Sequence, residues 1–168
     1  MRRHAGVFAT WFGVLRLYAG AFWISHGIPK FLHADAFMPP NGFMGQMIAR
    51  ATMSTTGPYH EFLAQVVTPN IMVFAELVRL GEVLVGCSLL FGLLTRVGGI
   101  FGCFLALNYM AAAGELHSFS TIGTLDAAAF VLSFLMVVTP AGQVFGVDAL
   151  FRRRPRIERV KPEFVDEP

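Results

Sequence analysis

Charge is scarce in this chain. Asp, Glu, Lys and Arg make up 14% of its 168 residues, against about 25% in soluble domains. That shortfall argues against a water-soluble domain and for a membrane protein. Cysteine is scarcer still: Cys87 and Cys103 stand alone, with no CxxC and no ligand spacing. A disulfide scaffold and a structural zinc site are both excluded on that count. No stretch shows the period-two alternation of a membrane β-barrel. A haem site needs axial ligands, usually His, and His26 is the single histidine in or at the edge of an apolar stretch. No haem, flavin, iron–sulfur or metal motif is present. The net charge of +2 favours no partner by itself. The basic residues at 152–154, 156, 159 and 161 fit the cytoplasmic flank of a membrane helix better than a nucleic-acid site.

What the chain has is hydrophobicity: 55% of residues are apolar and the mean hydropathy is +0.59. A spanning helix needs about 20 mostly apolar residues. Four stretches qualify, from about Val7 to Ile28 before Pro29, Ile71 to Leu94, Val97 to Gly114, and Ile122 to Val138 before Pro140. The expected fold is therefore an all-α membrane protein, a four-transmembrane-helix bundle over residues 1–150, with a basic then acidic cytoplasmic tail at 151–168. The first stretch resembles a signal peptide with Ala19-Gly20-Ala21 as cleavage site. Arg16 interrupts it and its apolar run continues beyond, so it reads as a retained helix. Lys and Arg set the orientation. Arg2, Arg3, Arg96 and the tail lie on one side. The 40-residue segment after the first helix has only Lys30 and Arg50. An N-in, C-in, multi-pass protein of a bacterial or archaeal cytoplasmic membrane satisfies this pattern. Within the long outer segment, Phe43, Met44, Met47, Ile48 and Ala51 recur at helical spacing, as do Phe62, Leu63, Val66 and Val67. Two short amphipathic helices are expected at the surface, either capping the bundle or forming a lid.

Ionisable residues inside spans cost roughly 3 kcal/mol each and usually face the bundle interior. Arg16, Glu76, Arg79, Glu82 and Asp126 are the candidates. Counting along the helices puts Arg16 and Glu82 within about 4–5 Å in depth, so a pair between them is expected, with Arg79 sharing Glu82 or pairing with Glu76. Either a structural ion-pair network or a quinone pocket with a proton path accounts for them. His26, Lys30, Glu76, Asn108, Glu115, His117 and Asp126 gather near the outer surface. A protonatable His beside carboxylates there suits proton-coupled chemistry. Gly98, Gly102 and Ala106 make a small-residue ridge for helix packing. Cys87 and Cys103 fall at similar depth, as a thiol pair or as two small hydrophobes.

The first helix carries Arg16-Leu-Tyr-Ala-Gly20 and His26-Gly27-Ile-Pro-Lys30, the second Glu82-Val-Leu-Val-Gly86, Leu89-Leu-Phe-Gly92 and Thr95-Arg96. In order and spacing these resemble the DoxX/DoxD family over residues 12–150. The resemblance implies a four-helix integral membrane protein. DoxD-like members belong to a thiosulfate:quinone oxidoreductase, so quinone is the implied ligand and Arg16, Lys30, Glu82 and Arg96 the matching positions. With no redox motif of its own, the chain needs another subunit or a bound quinone to carry electrons. It reads as a subunit of a quinone-linked electron-transfer assembly. The alternative is an accessory subunit of a larger respiratory or photosynthetic complex. Expected partners are other membrane subunits and lipid, contacted through the Gly98–Gly102–Ala106 ridge or the Phe130/Phe134 stripe, and no nucleic acid.

Overall fold

The computed structural model describes residues 2–117 and 122–150, with side chains for 9–116 and 122–150. The tail at 151–168 lies outside the described residues, as do the side chains of Arg2, Arg3 and His117. Among the described residues the chain is helical and has no strand. Four longer helices coincide with the four apolar stretches: α1 (Arg2–Leu32), α5 (Ile71–Phe91), α6 (Thr95–Ala112) and α7 (Leu125–Val138). Between α1 and α5 lie α2 (Ala34–Phe37), α3 (Phe43–Ser54) and α4 (Pro58–Phe62), the last passing through a π-turn and a 3-10 turn into α5. Among the described residues no helix is long and apolar enough to cross a membrane. Three ionisable residues interrupt α5, and α7 has only 14 residues.

Pro29 does not close α1 as expected; the helix runs one further turn to Leu32. A mid-helix proline removes one hydrogen bond, and here His33 N–H still bonds the Pro29 carbonyl beyond it.

α1 packs on α5, α5 on α6, α6 on α7, and α7 returns to α1. Missing side chains make the closest of these contacts possible. A Cβ on Gly20 would meet the Leu90 backbone, and one on Gly86 would meet Ile24. A Cβ on Gly27 would strike Val83 and Glu82. These three contacts fix the register of α1 on α5. Trp23 is buried in the core and donates from Nε1 to Ser133 Oγ at 3.1 Å, tying α1 to α7. Gly99 and Gly102 of α6 approach Ser133 and Val137 of α7, while Gly98 faces Ser88 of α5. The small-residue ridge is thus used up inside the chain. The expectation that it contacts a partner is corrected: packing against α5 and α7 leaves it no free face. Phe134 does stay exposed, with its ring stacked on Phe130.

A second apolar cluster forms where α2–α4 fold over the bundle. Phe37, Met44, Ile48, Leu63, Val67 and Ala75 are buried in it. The short helices of the long connection are therefore packed elements of the fold, and this end of the bundle is called the loop end below. The opposite end, with the α5–α6 connection, is the turn end.

Candidate functional site

At the turn end, Arg16 is fully buried. Its Nη1 donates to the Leu89 and Leu90 carbonyls at 2.7 and 3.1 Å, and its Nη2 to the Val144 and Phe145 carbonyls at 3.3 and 3.1 Å. The last carbonyls of a helix lack intrahelical partners and carry partial negative charge, so a guanidinium fork is well matched to them. α5 stops at Gly92, which adopts a left-handed conformation (φ 63°). A Cβ there would collide with Arg16 and Gly146. Asp148 completes the junction. Its backbone N–H donates to Gly92, and its carboxylate accepts from the Leu94 and Thr95 N–H groups at 2.8 and 2.9 Å. Partial burial pushes the Asp148 carboxyl up. Hydrogen bonds from Thr95 and Leu94, with the Arg16 charge, outweigh that and hold it below the ordinary carboxylate value.

The expected Arg16–Glu82 pair is therefore corrected. The glycine contacts set Gly27, not Arg16, opposite Glu82. Eleven residues of α1 separate those two positions, about 16 Å along the axis. Helix counting from uncertain ends missed this because close packing, not span length, determines register.

Glu82 sits toward the loop end and is 1% exposed. Its partner is Lys30, whose Nζ lies 2.6 Å from Glu82 Oε1. The Tyr109 hydroxyl donates to the same oxygen and accepts from Lys30 at 3.1 Å. The Lys30 ammonium also stands over the rings of Phe37 and Tyr109, 5.0 and 5.2 Å from their centroids. Glu82 Oε2 is buried without any hydrogen-bond partner. Asp126, at the start of α7, interacts electrostatically with Glu115, His26, Lys30 and Glu82. Of the expected residues, then, Lys30 and Glu82 are in contact, whereas His26 bonds the Phe22 carbonyl of its own helix. Glu76 and Arg79 stand apart from that pair: they bond each other on the outer face of α5, and Arg79 lies over the Phe31 ring at 4.4 Å.

Beside this cluster a groove of about 710 Å³ runs between α5 and α6. Leu77, Gly81, Leu84, Val97, Phe101 and Leu105 line it. Met44, Tyr59 and Leu63 bound it at the loop end, where Tyr109 also lies in its wall. Gly81 is the reason α5 leaves room, since a Cβ there would meet only the Leu105 methyls, at 3.6 Å or more. Cys87 faces the groove, whereas Cys103 points to the Phe130 carbonyl on α7. The two thiols are free and engage different neighbours.

The family model for the TQO small subunit DoxD matches residues 11–163. The chain belongs to the DoxD family. No curated protein and no solved structure matches it. The motif positions of this DoxD chain divide between two places. Arg16, Gly20, Gly86, Gly92 and Thr95 build the junction at the turn end and the α1–α5 contact. Lys30 and Glu82 build the polar cluster at the loop end. Arg96, the remaining matching position, is exposed beside Thr95.

Two residues escaped the sequence reading. Asp148 follows the last helix with no motif around it. Tyr109 stands in an apolar helix as one aromatic among many. A tyrosine one turn from a helix end, with a buried carboxylate on the neighbouring helix, is the signal that could have marked it.

Proposed function

We propose that this DoxD chain is the membrane-embedded, quinone-binding subunit of a thiosulfate:quinone oxidoreductase-type assembly, lying N-in and C-in in a bacterial or archaeal cytoplasmic membrane. The observation that carries this reading is the groove. It is apolar from Val97 to the level of Asn108, about 17 Å of α6, and it ends at a tyrosine hydrogen-bonded to a buried carboxylate. That combination suits a ligand with a long apolar tail and a head group that takes up protons. Leu77, Leu80, Leu84, Phe101, Phe104 and Phe134 remain exposed around the bundle. A contiguous apolar surface of this kind belongs against lipid or other subunits. Of the charges within the helices, Arg16, Glu76, Arg79 and Glu82 are engaged in the contacts already described, which lowers the cost of placing them in a bilayer.

A bound quinone supplies a carrier for two electrons and two protons. The chain's own part is to hold the tail between α5 and α6 and to set the Tyr109 hydroxyl, hydrogen-bonded to Glu82 and Lys30, at the head-group end. Electrons come from the oxidation of a reduced sulfur compound handled by a partner subunit.

Gly81→Phe is the test. The new ring enters the groove without meeting backbone, so thermal stability should be retained while binding of a long-tailed quinone, followed by tryptophan quenching, is lost. Undiminished binding would refute the assignment of the groove. A second reading, an accessory subunit with no chemistry of its own, draws support from Arg16, Glu76 and Arg79, which are consumed by structural contacts. It predicts that Gly81→Phe leaves the activity of the whole assembly unchanged.

A further inference from the structure

We infer that Asn108 binds a head-group carbonyl of the groove's ligand through its side-chain N–H, under a cover that Tyr59 and Phe62 of α4 supply; the inference rests on the groove being the quinone site.

The first observation is an inventory of donors. The polar side chains lining the groove are Tyr59, Cys87, Ser88, Asn108 and Tyr109. Their hydroxyl hydrogens are already placed. Tyr109 donates to Glu82, Ser88 to the Leu93 carbonyl and Tyr59 to the main-chain carbonyl of Asn108. A thiol is a weak donor. An amide nitrogen carries two hydrogens, and Asn108 Nδ2 uses one of them on the Phe104 carbonyl, at 2.8 Å. That carbonyl can only accept, so the nitrogen is the atom that faces it, which fixes the orientation of the amide. Among the described residues no hydrogen bond takes the other hydrogen. A quinone carbonyl brought into an apolar groove loses its water and needs a donor in exchange. Asn108 is the strong side-chain donor in the lining with a hydrogen to give.

The second observation is what Asn108 does not do. Polar side chains within membrane bundles serve mostly to bond one helix to another. The Asn108 side chain bonds its own helix one turn back, so helix packing gives no reason for an amide between Leu107 and Tyr109. The third observation is the company it keeps. Tyr59 reaches from α4 to the Asn108 main chain at 3.4 Å and so closes the loop end of the groove. The bond is long, as a cover that must lift to admit a ligand requires. The Phe62 ring lies 6.4 Å from that of Tyr59, and 6.1 Å from that of Phe74 at 86°. All three rings line the groove. Faces and edges of aromatic rings at such spacing are what a flat head group stacks against.

The test uses the full chain in lipid nanodiscs and two ligands with the same brominated prenyl tail, which quenches tryptophan fluorescence on binding. One ligand is a quinone isotope-labelled at its carbonyls; the other has a hydrocarbon ring with no oxygen. Infrared difference spectra of the wild type with the labelled quinone should show a carbonyl band at lower frequency than the same quinone gives in nanodiscs without protein. Asn108→Leu should abolish that shift and weaken quinone binding roughly three- to tenfold, the worth of one hydrogen bond. The hydrocarbon ligand should bind both proteins alike, which shows that the variant groove is intact. Tyr59→Phe keeps the ring and removes its fastening, so the shift should persist while the quinone leaves faster. A wild-type band without the shift, or a shift and affinity unchanged in Asn108→Leu, would overturn the inference and leave Asn108 as a polar residue of the membrane surface. An unchanged release rate in Tyr59→Phe would overturn the cover. Failure of both ligands to bind the wild type would instead overturn the groove assignment.

Discussion

Removing Lys30 should damage the protein more than removing the charge it neutralises. In Lys30→Met the Glu82 carboxylate stays where it is, 1% exposed and with Tyr109 as its remaining donor. Breaking a buried pair from one side costs about 3–5 kcal/mol. For a chain of this size each kcal/mol moves the unfolding midpoint by about 2–4 °C, so the drop is roughly 6–20 °C. In Glu82→Gln the orphan is instead Lys30, whose side chain is 18% exposed. Its long stem lets the ammonium move toward water, and the hydroxyl of Tyr109 remains as acceptor. That loss is about 1–3 kcal/mol. The double variant leaves no unpaired charge, so it should be more stable than the sum of the single losses by roughly 2 kcal/mol or more, within the range measured for contacting pairs. Thermal unfolding in one detergent, followed by Trp fluorescence, measures all four proteins. Additivity to within about 0.5 kcal/mol, or a Glu82→Gln variant weaker than Lys30→Met, would refute the pairing.

Asp148 should make stability acid-sensitive. Its folded-state pKa is depressed, so its contribution is present above the unfolded-state value of about 3.9 and is lost as pH falls through the lower folded value. Denaturation midpoints measured on descending from about pH 6 should fall in the wild type and lose that component in Asp148→Asn. An identical pH profile for both proteins would rule it out. Gly92 and Gly57 both have positive φ, but only Gly92 has neighbours where a Cβ would stand. Gly57, at φ 72° and ψ −154°, holds a conformation almost confined to glycine, so Gly57→Ala should cost about 1–3 kcal/mol from the backbone alone, and Gly92→Ala more because its Cβ also meets Arg16 and Gly146, as read by denaturant midpoints; a smaller loss at Gly92 would count against the junction.

Residue composition and periodicity were enough for the helices, because each long apolar run had length and few competing signals. The short helices of the outer connection were legible from the same spacing of Met44, Met47, Ile48 and Ala51. The Glu76–Arg79 pair was legible too, since an i, i+3 contact is local to one helix. Cross-helix partners were not. Whether Glu82 meets Arg16 or Lys30 depends on which turn of α1 lies opposite it, and Gly20, Gly27 and Gly86 settle that by letting backbones touch. Glycines are common in apolar helices, so their pairing could not be read from spacing alone. The same limit concealed Tyr109, whose importance comes from the rotation of α6, and Asp148, which acts on a helix it follows by more than 30 residues. The groove was invisible for a different reason: it is a space left by Gly81, and one chain's residue order does not reveal where two helices part.

The junction at Arg16 has a consequence for how the chain is made. Half of that guanidinium's acceptors, at residues 144 and 145, are among the last described residues to leave the ribosome, whereas Arg16 is among the first. Until then a buried cation in the first helix has only the end of α5 to hold it. The early helices should therefore remain loosely associated, and open to rescue or degradation by quality-control machinery, until the residues following α7 arrive and lock the turn end.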